Sequence, residues 1–381
     1  MIGYAGVGAA ERIWARLRAF EPDGWQAWHR GREWVTSGGG LPTILGIEST
    51  CDETAAAVVA DGYRVRSNVV SSQVDLHARF GGVVPEIASR AHIEKIIPVI
   101  DQALTDANVK LEEVDAISVA HRPGLIGSLL IGVTAAKTLA WATGKPLIGV
   151  DHVHAHLYSV VLETGTNPPM PAVGLVCSGG HTALYRMNGW SDVTLIGSTI
   201  DDAVGEAYDK VAAILGLGYP GGPLVDRLAQ RGNPKAIRFP RSLLSRDSLD
   251  FSFSGLKTAV LYHVRGVPGG KTAPVPVDLT DSHLLDVAAS FQAACVETLL
   301  EKLKRGARRV GAKSIVVGGG VSANRGLRLA LGNMAIPAFL PPLRYCTDNA
   351  AMSAGLASIA YRQRAFSDLG LDAVTCSQFR P

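Results

Sequence analysis

The chain has 381 residues, enough for two domains. With 47% hydrophobic and 19% charged residues it can bury large cores, which excludes an intrinsically disordered protein. A net charge of +3 permits a polyanionic partner without demanding one, and five cysteines with no C-x-x-C pair exclude a disulfide framework or zinc ribbon and fit a reducing cytoplasm. No apolar run is expected to reach the roughly 18 residues of a membrane helix. The N-terminus has no basic start followed by an apolar stretch, as a secretory signal would.

Residues 1–42 differ from the rest. Trp14, Trp25, Trp28 and Trp34 lie there among alternating arginines and acids, and the stretch ends in the linker-like Ser37-Gly38-Gly39-Gly40. A loosely ordered extension is expected, with a short amphipathic helix near Ala9–Phe20. The folded region begins at Thr43. Ile44–Glu48 reads as a buried strand, Ser49–Thr54 as a polar turn carrying Asp52 and Glu53, and Ala55–Ala60 as a second apolar run. The same shape recurs with strand Ala172–Val176, turn Cys177–Thr182 and strand Ala183–Tyr185. It is a weak repeat, 128 residues on if Gly46 is matched with Gly174. Two such units suggest related halves whose turns aim backbone N–H groups into a shared cleft.

Helical spacing predicts helices over Arg90–Ala107, Gly127–Ala142, Ser282–Arg305, Asn324–Gly332 and Asp348–Arg364, with Ser314–Val317 a strand. On the Ser282 helix, Leu284, Ala288, Phe291, Cys295 and Leu303 share one face. Strands alternating with helices argue for an α/β architecture.

The sharpest constellation is Asp151-His152-Val153-His154-Ala155-His156. If it opens a helix, His152 and His156 stand at i and i+4 and can share one divalent metal, with His154 pointing largely away. The competing reading is three hydrogen-bonded histidines at a helix start. A zinc peptidase would place Glu after the first His as its base, and Val153 stands there. Asp348 precedes an Ala-rich segment, where an N-cap and a third metal ligand are both open readings. Ser178-Gly179-Gly180-His181-Thr182 and Gly318-Gly319-Gly320-Val321-Ser322-Ala323-Asn324 are Gly-containing turns that let backbone approach a phosphate or a flat ring. Neither has the spacing of a dinucleotide fingerprint or a P-loop. Asp202, Glu206, Asp209 and Lys210 fall on one helical face over Ile200–Leu215, either as a solvated ion-paired face or as part of a site.

Taken together, Leu45–Thr54, Gly81–His92, Pro123–Leu129, His152–His156, Ser178–Thr182, Asp201–Gly222, Phe253–Ala259, Gly318–Asn324 and Cys346–Met352 resemble, in order, the motifs of the tRNA N6-adenosine threonylcarbamoyltransferases, the TsaD family. The resemblance runs from about Ile44 to Arg364. It implies a two-lobed actin/Hsp70-like (ASKHA) α/β fold with duplicated RNase H-like domains. The expected division is an extension over 1–42, an N-terminal lobe over 43–150, a C-terminal lobe with the metal and adenylate site over 151–347, and a helix and tail over 348–381 packing back on the fold.

By the same resemblance, His152, His156 and Asp348 are the ligands of one iron or zinc ion. Val176, Cys177, Ser178, Gly179, Gly180, Asp209, Gly222, Asp226 and Asn324 hold threonylcarbamoyl-AMP, and Asp52 and Glu53 are the catalytic acids. The implied reaction moves the threonylcarbamoyl group to N6 of adenosine 37 in tRNAs reading codons that begin with adenine, in the cytoplasm. A TsaB-like paralogue and a TsaE-like ATPase are the implied partners, and no membrane is. Lys257 is a candidate tRNA contact. The alternatives are a metal-dependent glycoprotein endopeptidase and a non-catalytic ATP-binding scaffold. Two departures stand out. Ala120-His121-Arg122 replaces the small residues usual before Pro123-Gly124-Leu125, and His154-Ala155 replaces an acidic residue and Gly.

Overall fold

The computed structural model describes residues 42–242, 244–245, 247–266 and 282–376. The expected extension over 1–42 and its helix near Ala9–Phe20 lie outside the described residues, Pro42 apart. In chain order the elements are β1 (Thr43–Glu48), β2 (Glu53–Ala60), β3 (Arg64–Ser72), α1 (Val74–Ala78), α2 (Pro85–Asp106), β4 (Ala116–Arg122), α3 (Ile126–Thr143), β5 (Leu147–Asp151), α4 (His152–Tyr158), β6 (Ala172–Cys177), β7 (Thr182–Gly189), β8 (Asp192–Ser198), α5 (Val204–Ile214), α6 (Gly221–Ala229), α7 (Ser254–Arg265), α8 (Ser282–Val310), β9 (Ser314–Gly318), α9 (Arg325–Gly332), β10 (Ala338–Phe339) and α10 (Ala350–Arg362).

The strands form two five-stranded sheets, ordered β3-β2-β1-β4-β5 and β10-β9-β6-β7-β8. In each, an antiparallel three-strand meander is extended by two parallel strands. Read from β8, the second sheet repeats the order of the first. Gly46 and Gly174, matched in the sequence repeat, lie on β1 and β6, the central strands. The α/β class and a strand order common to both sheets are therefore features of the structure.

The chain forms two compact units. The first comprises the described residues to Gln73, Val83–Thr166 and those from Asp348 onward. The second comprises Val74–Gly82 and Asn167–Thr347. This corrects the expected boundary at 150/151, because α4 packs on α10 and stays with the first sheet. The chain leaves the first unit after that helix, and α10 returns to it as a core element.

In the first unit, strand alternation decides what faces what. Leu45 and Ile47 of β1 join the core that Ile96, Ile100, Leu129 and Val133 of α2 and α3 build. Ile44, Gly46 and Glu48 take the other face, which α10 covers. A Cβ on Gly46 would lie 2.5 Å from the Ala350 carbonyl oxygen and 2.8 Å from the Ala354 Cβ. The small buried residues Ala350, Ala351, Ser353, Ala354 and Ala357 let α10 sit this close. Helix α3 is long and apolar enough, by length and composition, to cross a membrane, so the expectation that no run reaches 18 residues is corrected. Its buried residues, from Ser128 and Leu129 to Ala140 and Ala142, belong to the face packed on β4 and α2.

The departure at Ala120-His121-Arg122 has local work in this unit. The Nδ1–H of His121 donates to the Asp372 carbonyl (2.9 Å), and the Val374 N–H donates to the His121 carbonyl (2.9 Å), which docks the C-terminal segment. Burial pushes the His121 pKa down, consistent with a neutral imidazole. Arg122 reaches Asp151 at 3.3 Å.

In the second unit, α8 runs along the core. Leu284, Ala288, Phe291, Cys295 and Leu303 are buried together, as their spacing predicts. Gly319, with φ of +90°, passes so close to β6 that a Cβ would meet the Cys177 carbonyl oxygen at 2.4 Å, so the turn after β9 requires glycine.

Gly46→Ala should force α10 off the sheet and cost about 1–3 kcal/mol of stability, the usual range for overpacking. Denaturant unfolding measures it, and an unchanged midpoint would show that the approach of α10 is not tight.

Candidate functional site

The first unit assembles the histidines from the helix start upward. Asp151 is the N-cap of α4, its Oδ1 accepting from the N–H groups of Val153 (3.0 Å) and His154 (3.2 Å). One turn then places His152 and His156 side by side, ring centroids 4.7 Å apart. Both Nε2 atoms face Asp348 Oδ1, at 3.5 Å from His152 and 3.0 Å from His156. Ligand atoms of all three residues lie within 4.8 Å of one another. Asp348 does not cap α10. That cap is Asn349, whose Oδ1 accepts from the Met352 N–H at 3.1 Å, leaving the Asp348 carboxylate for the histidines.

Glu48 sets the chemistry of this cluster. Fully buried at the end of β1, it stands on the α10 face by alternation. Its Oε2 is 3.1 Å from His152 Nδ1 and 3.3 Å from Ser353 Oγ, and its Oε1 accepts from the Thr50 N–H at 2.9 Å. An ionised carboxylate only accepts, so His152 Nδ1 carries the proton and its Nε2 lone pair turns towards Asp348. His156 Nδ1 has no partner among the described residues, so no hydrogen bond there fixes its tautomer. Three electron-rich atoms thus converge where positive charge is required. Burial alone lowers the His152 pKa, but Glu48 and Asp348 raise it well above the usual histidine value. Burial raises that of Asp348, but His152 and His156 hold it well below the carboxylate range. A divalent cation would replace the shared proton, and two imidazoles, one carboxylate and a carboxylate-oriented imidazole form a donor set that fits one. His154 is buried in α4, is not one of these ligands, and is pushed down in pKa by burial.

The turn carrying Asp52 and Glu53 is held from several sides. Thr50 O accepts from the Leu125 N–H (2.8 Å), His92 Nε2–H donates to Cys51 O (3.0 Å), and His92 Nδ1 pairs with Thr54 Oγ1 (2.8 Å). Burial, then Asp348 and Asp52, push the Glu53 pKa far above the carboxylate range. Burial, Asp52 and Asp348 likewise keep the Cys51 thiol protonated.

In the second unit the expected substrate backbone narrows. Val176 is paired on both sides in the sheet, Cys177 is buried opposite Thr182, and the Ser178 N–H donates to His181 O at 2.8 Å. Gly179 and Gly180, exposed at the turn with open space where a Cβ would be, are the backbone a ligand can reach. Asp209 Oδ1 accepts from the Gly221 N–H at 2.7 Å, seating the first turn of α6 beside Gly222. Asp226 and Asn324 meet through a residue that sequence reading missed, Gln292 of α8, whose Nε2 donates to Asp226 Oδ1 (3.0 Å) and whose Oε1 accepts from Asn324 Nδ2 (2.7 Å). Asp202, Glu206 and Lys210 form the ion-paired reading of their segment, Lys210 bridging the two acids at 2.7 and 2.9 Å. Lys257 is also engaged there, 3.2 Å from Asp202. Asp201 clamps the start of α7 through Ser252, Phe253 and Ser254.

The model of the family described as tRNA N6-adenosine threonylcarbamoyltransferase (TsaD) matches residues 64–355. A protein of that name from Anaeromyxobacter dehalogenans (strain 2CP-C) is 51% identical over 341 residues, covering 87% of this chain and 98% of the relative. One from Moorella thermoacetica is 51% identical over 338 residues, covering 87% and 95%. Among solved structures, T. kodakarensis HypF is similar with a TM-score of 0.54 at 14% identity, over 88% of this chain and 49% of that one. Component A of (R)-2-hydroxyglutaryl-CoA dehydratase from Acidaminococcus fermentans reaches 0.51 at 15%, over 85% and 99%. At such identities the likeness is one of fold, and it agrees with an actin/Hsp70-like α/β fold.

Glu48→Gln keeps the shape of the side chain but removes the charge that orients His152. It should weaken divalent-metal affinity by about 10–100-fold. Competition with a chromophoric chelator reads this directly, and an unchanged affinity would remove Glu48 from the centre.

Proposed function

The chain belongs to the tRNA N6-adenosine threonylcarbamoyltransferase family, and on that premise we propose how its residues divide the work of the transfer. The protein moves a threonylcarbamoyl group onto the N6 amine of an adenosine in tRNA, at position 37 of tRNAs reading codons that begin with adenine. The donor is threonylcarbamoyl-AMP. The observation that carries this reading is the meeting of His152, His156 and Asp348 in a chain whose family performs that reaction.

The amine attacks the carbamoyl carbon. A C–N bond forms, the C–O bond to the phosphate breaks, AMP leaves with the bonding electrons, and the amine gives up a proton. Asp52 receives that proton. Its turn is fixed by the hydrogen bonds to Thr50 and Cys51, so the carboxylate is placed before substrate arrives. The exposed N–H groups of Gly179 and Gly180 are the backbone donors available to an anionic part of the donor molecule. Asp226 and Asn324 hold the nucleotide half, with Asp209 and Gly222 shaping the start of α6. His152, His156 and Asp348 would hold iron or zinc, which would supply Lewis-acid polarisation. Glu48 keeps the His152 lone pair directed at that position.

The two repeated sheets are duplicated RNase H-like domains, and the reaction takes place in the cytoplasm. A TsaB-like paralogue and a TsaE-like ATPase assist. With a net charge of only +3, tRNA affinity is shared with these partners and falls as salt rises. Val153 in place of a general base after His152 leaves the endopeptidase alternative without its proton acceptor.

Mass spectrometry of tRNA nucleosides tests the assignment. Depleting the protein should remove the threonylcarbamoyl modification and re-expression should restore it, whereas His152→Ala and Asp348→Ala should fail to restore it, with activity down by about 100-fold or more. Full modification by both variants would overturn the role of this centre.

A further inference from the structure

We infer that Gln292 is a positioning residue for the nucleotide: its side-chain amide fixes the polarity of the Asp226 and Asn324 side chains that receive it. The inference rests on the adenylate reading of those two residues given above.

Gln292 lies on α8, 7% exposed, and its amide is engaged by three residues from three other segments. Its Nε2 donates to Asp226 Oδ1 of α6 at 3.0 Å. Its Oε1 accepts from Asn324 Nδ2, ahead of α9, at 2.7 Å, and from the Tyr208 hydroxyl of α5 at 3.4 Å. Asn324 Nδ2 also lies 3.4 Å from the Tyr208 hydroxyl oxygen.

The direction of this chain is not free. A carboxylate has no proton to give, so the NH₂ of Gln292 must face Asp226 and its oxygen must face Asn324. Asn324 must then turn its own NH₂ inward. Its Oδ1 is left to accept from the Leu327 N–H at 2.9 Å, the N-cap bond of α9. Asp226 Oδ2 accepts from the Arg325 N–H at 3.3 Å. Each carboxylate oxygen is thus held by one donor and keeps acceptor capacity for a ligand. Space is as restricted as polarity, since a Cβ on Gly326 would lie 2.7 Å from Gln292 Nε2. A helix residue that only filled the core would need none of this directionality. A Leu of similar size would pack there and leave Asp226 and Asn324 without their shared partner.

Introducing a negative charge gives a readout that packing alone would not move. In Gln292→Glu, two carboxylates face each other across the Asp226 contact, and the pair must share a proton before the native pattern returns. The titratable groups around Tyr208 are Asp226, Cys177 and Cys295. Burial pushes Tyr208 and both thiols upward, so none of these three exchanges a proton near neutrality. The introduced carboxyl beside Asp226 carries the change. Protonation supplies the missing donor, so binding recovers as pH falls.

The experiment is calorimetric titration of the full chain with AMP, comparing wild type with Gln292→Leu, Gln292→Glu and Asp226→Ala, with circular dichroism to confirm folding. Gln292→Leu should weaken AMP binding by about tenfold or more. Gln292→Glu should weaken it at about pH 8 and regain most of the loss, relative to wild type, at about pH 6. If Gln292→Leu fails to fold, the pH dependence of Gln292→Glu decides alone. AMP binding within twofold of wild type in the folded Gln292 variants, or a Gln292→Glu deficit equal at both pH values, would overturn the inference while the Asp226→Ala loss leaves the adenylate reading standing. Wild-type affinity in Asp226→Ala would overturn the adenylate reading, and the inference with it.

Discussion

Three electron-rich atoms meeting in a buried place are the constraint around which the first unit is built. His152 Nε2, His156 Nε2 and Asp348 Oδ1 converge, and behind them Glu48 directs the His152 proton away from the meeting point. Without positive charge such an arrangement is costly, since buried lone pairs with no partner lose their hydration and gain nothing. The opposed pKa shifts of His152 and Asp348 express the mutual attraction of these groups. A half-buried carboxylate and two buried imidazoles kept this close have the donor set of a metal site, and much of the surrounding fold serves to hold them.

That support follows from sequence choices one level down. A bare Gly46 lets α10 press against β1, which brings Asp348 and Asn349 close to the end of the strand where Glu48 lies. Asn349 takes the helix cap, so the carboxylate before it is not spent on backbone N–H groups. Asp151 caps α4 and thereby fixes the turn that aligns the histidines. Arg122, one of the family departures, pairs with Asp151 and steadies the cap. In the second unit the logic is similar but the currency is hydrogen-bond direction: Gln292 ties Asp226, Asn324 and Tyr208 into one directed chain.

Much of this was legible in the chain. The apolar periodicity of α8 and the strand-turn-strand repeat point to the α/β class, because helix stripes and strand alternation are local properties. The pair His152/His156 is legible for the same reason, since i,i+4 spacing is a rule within one helix. Asp348 was ambiguous from the residues alone because Asp and Asn are both capping residues and only the coordinates show which of the two caps. The unit boundary was illegible because the main packing partner of α4 is α10, nearly 200 residues later in sequence. Glu48 hid as the last residue of an apolar strand, and Gln292 hid in the apolar stripe of α8. A lone polar residue in such a stripe was the available signal for Gln292, and its three partners come from distant segments.

Anomalous X-ray diffraction from crystals of the full chain, recorded across the iron and zinc absorption edges, tests the central claim most directly. The account predicts one strong peak within bonding distance of His152 Nε2, His156 Nε2 and an Asp348 oxygen, at about 2.0–2.2 Å. A metal-loaded protein with no peak there, or with its ion held by other side chains, would contradict it.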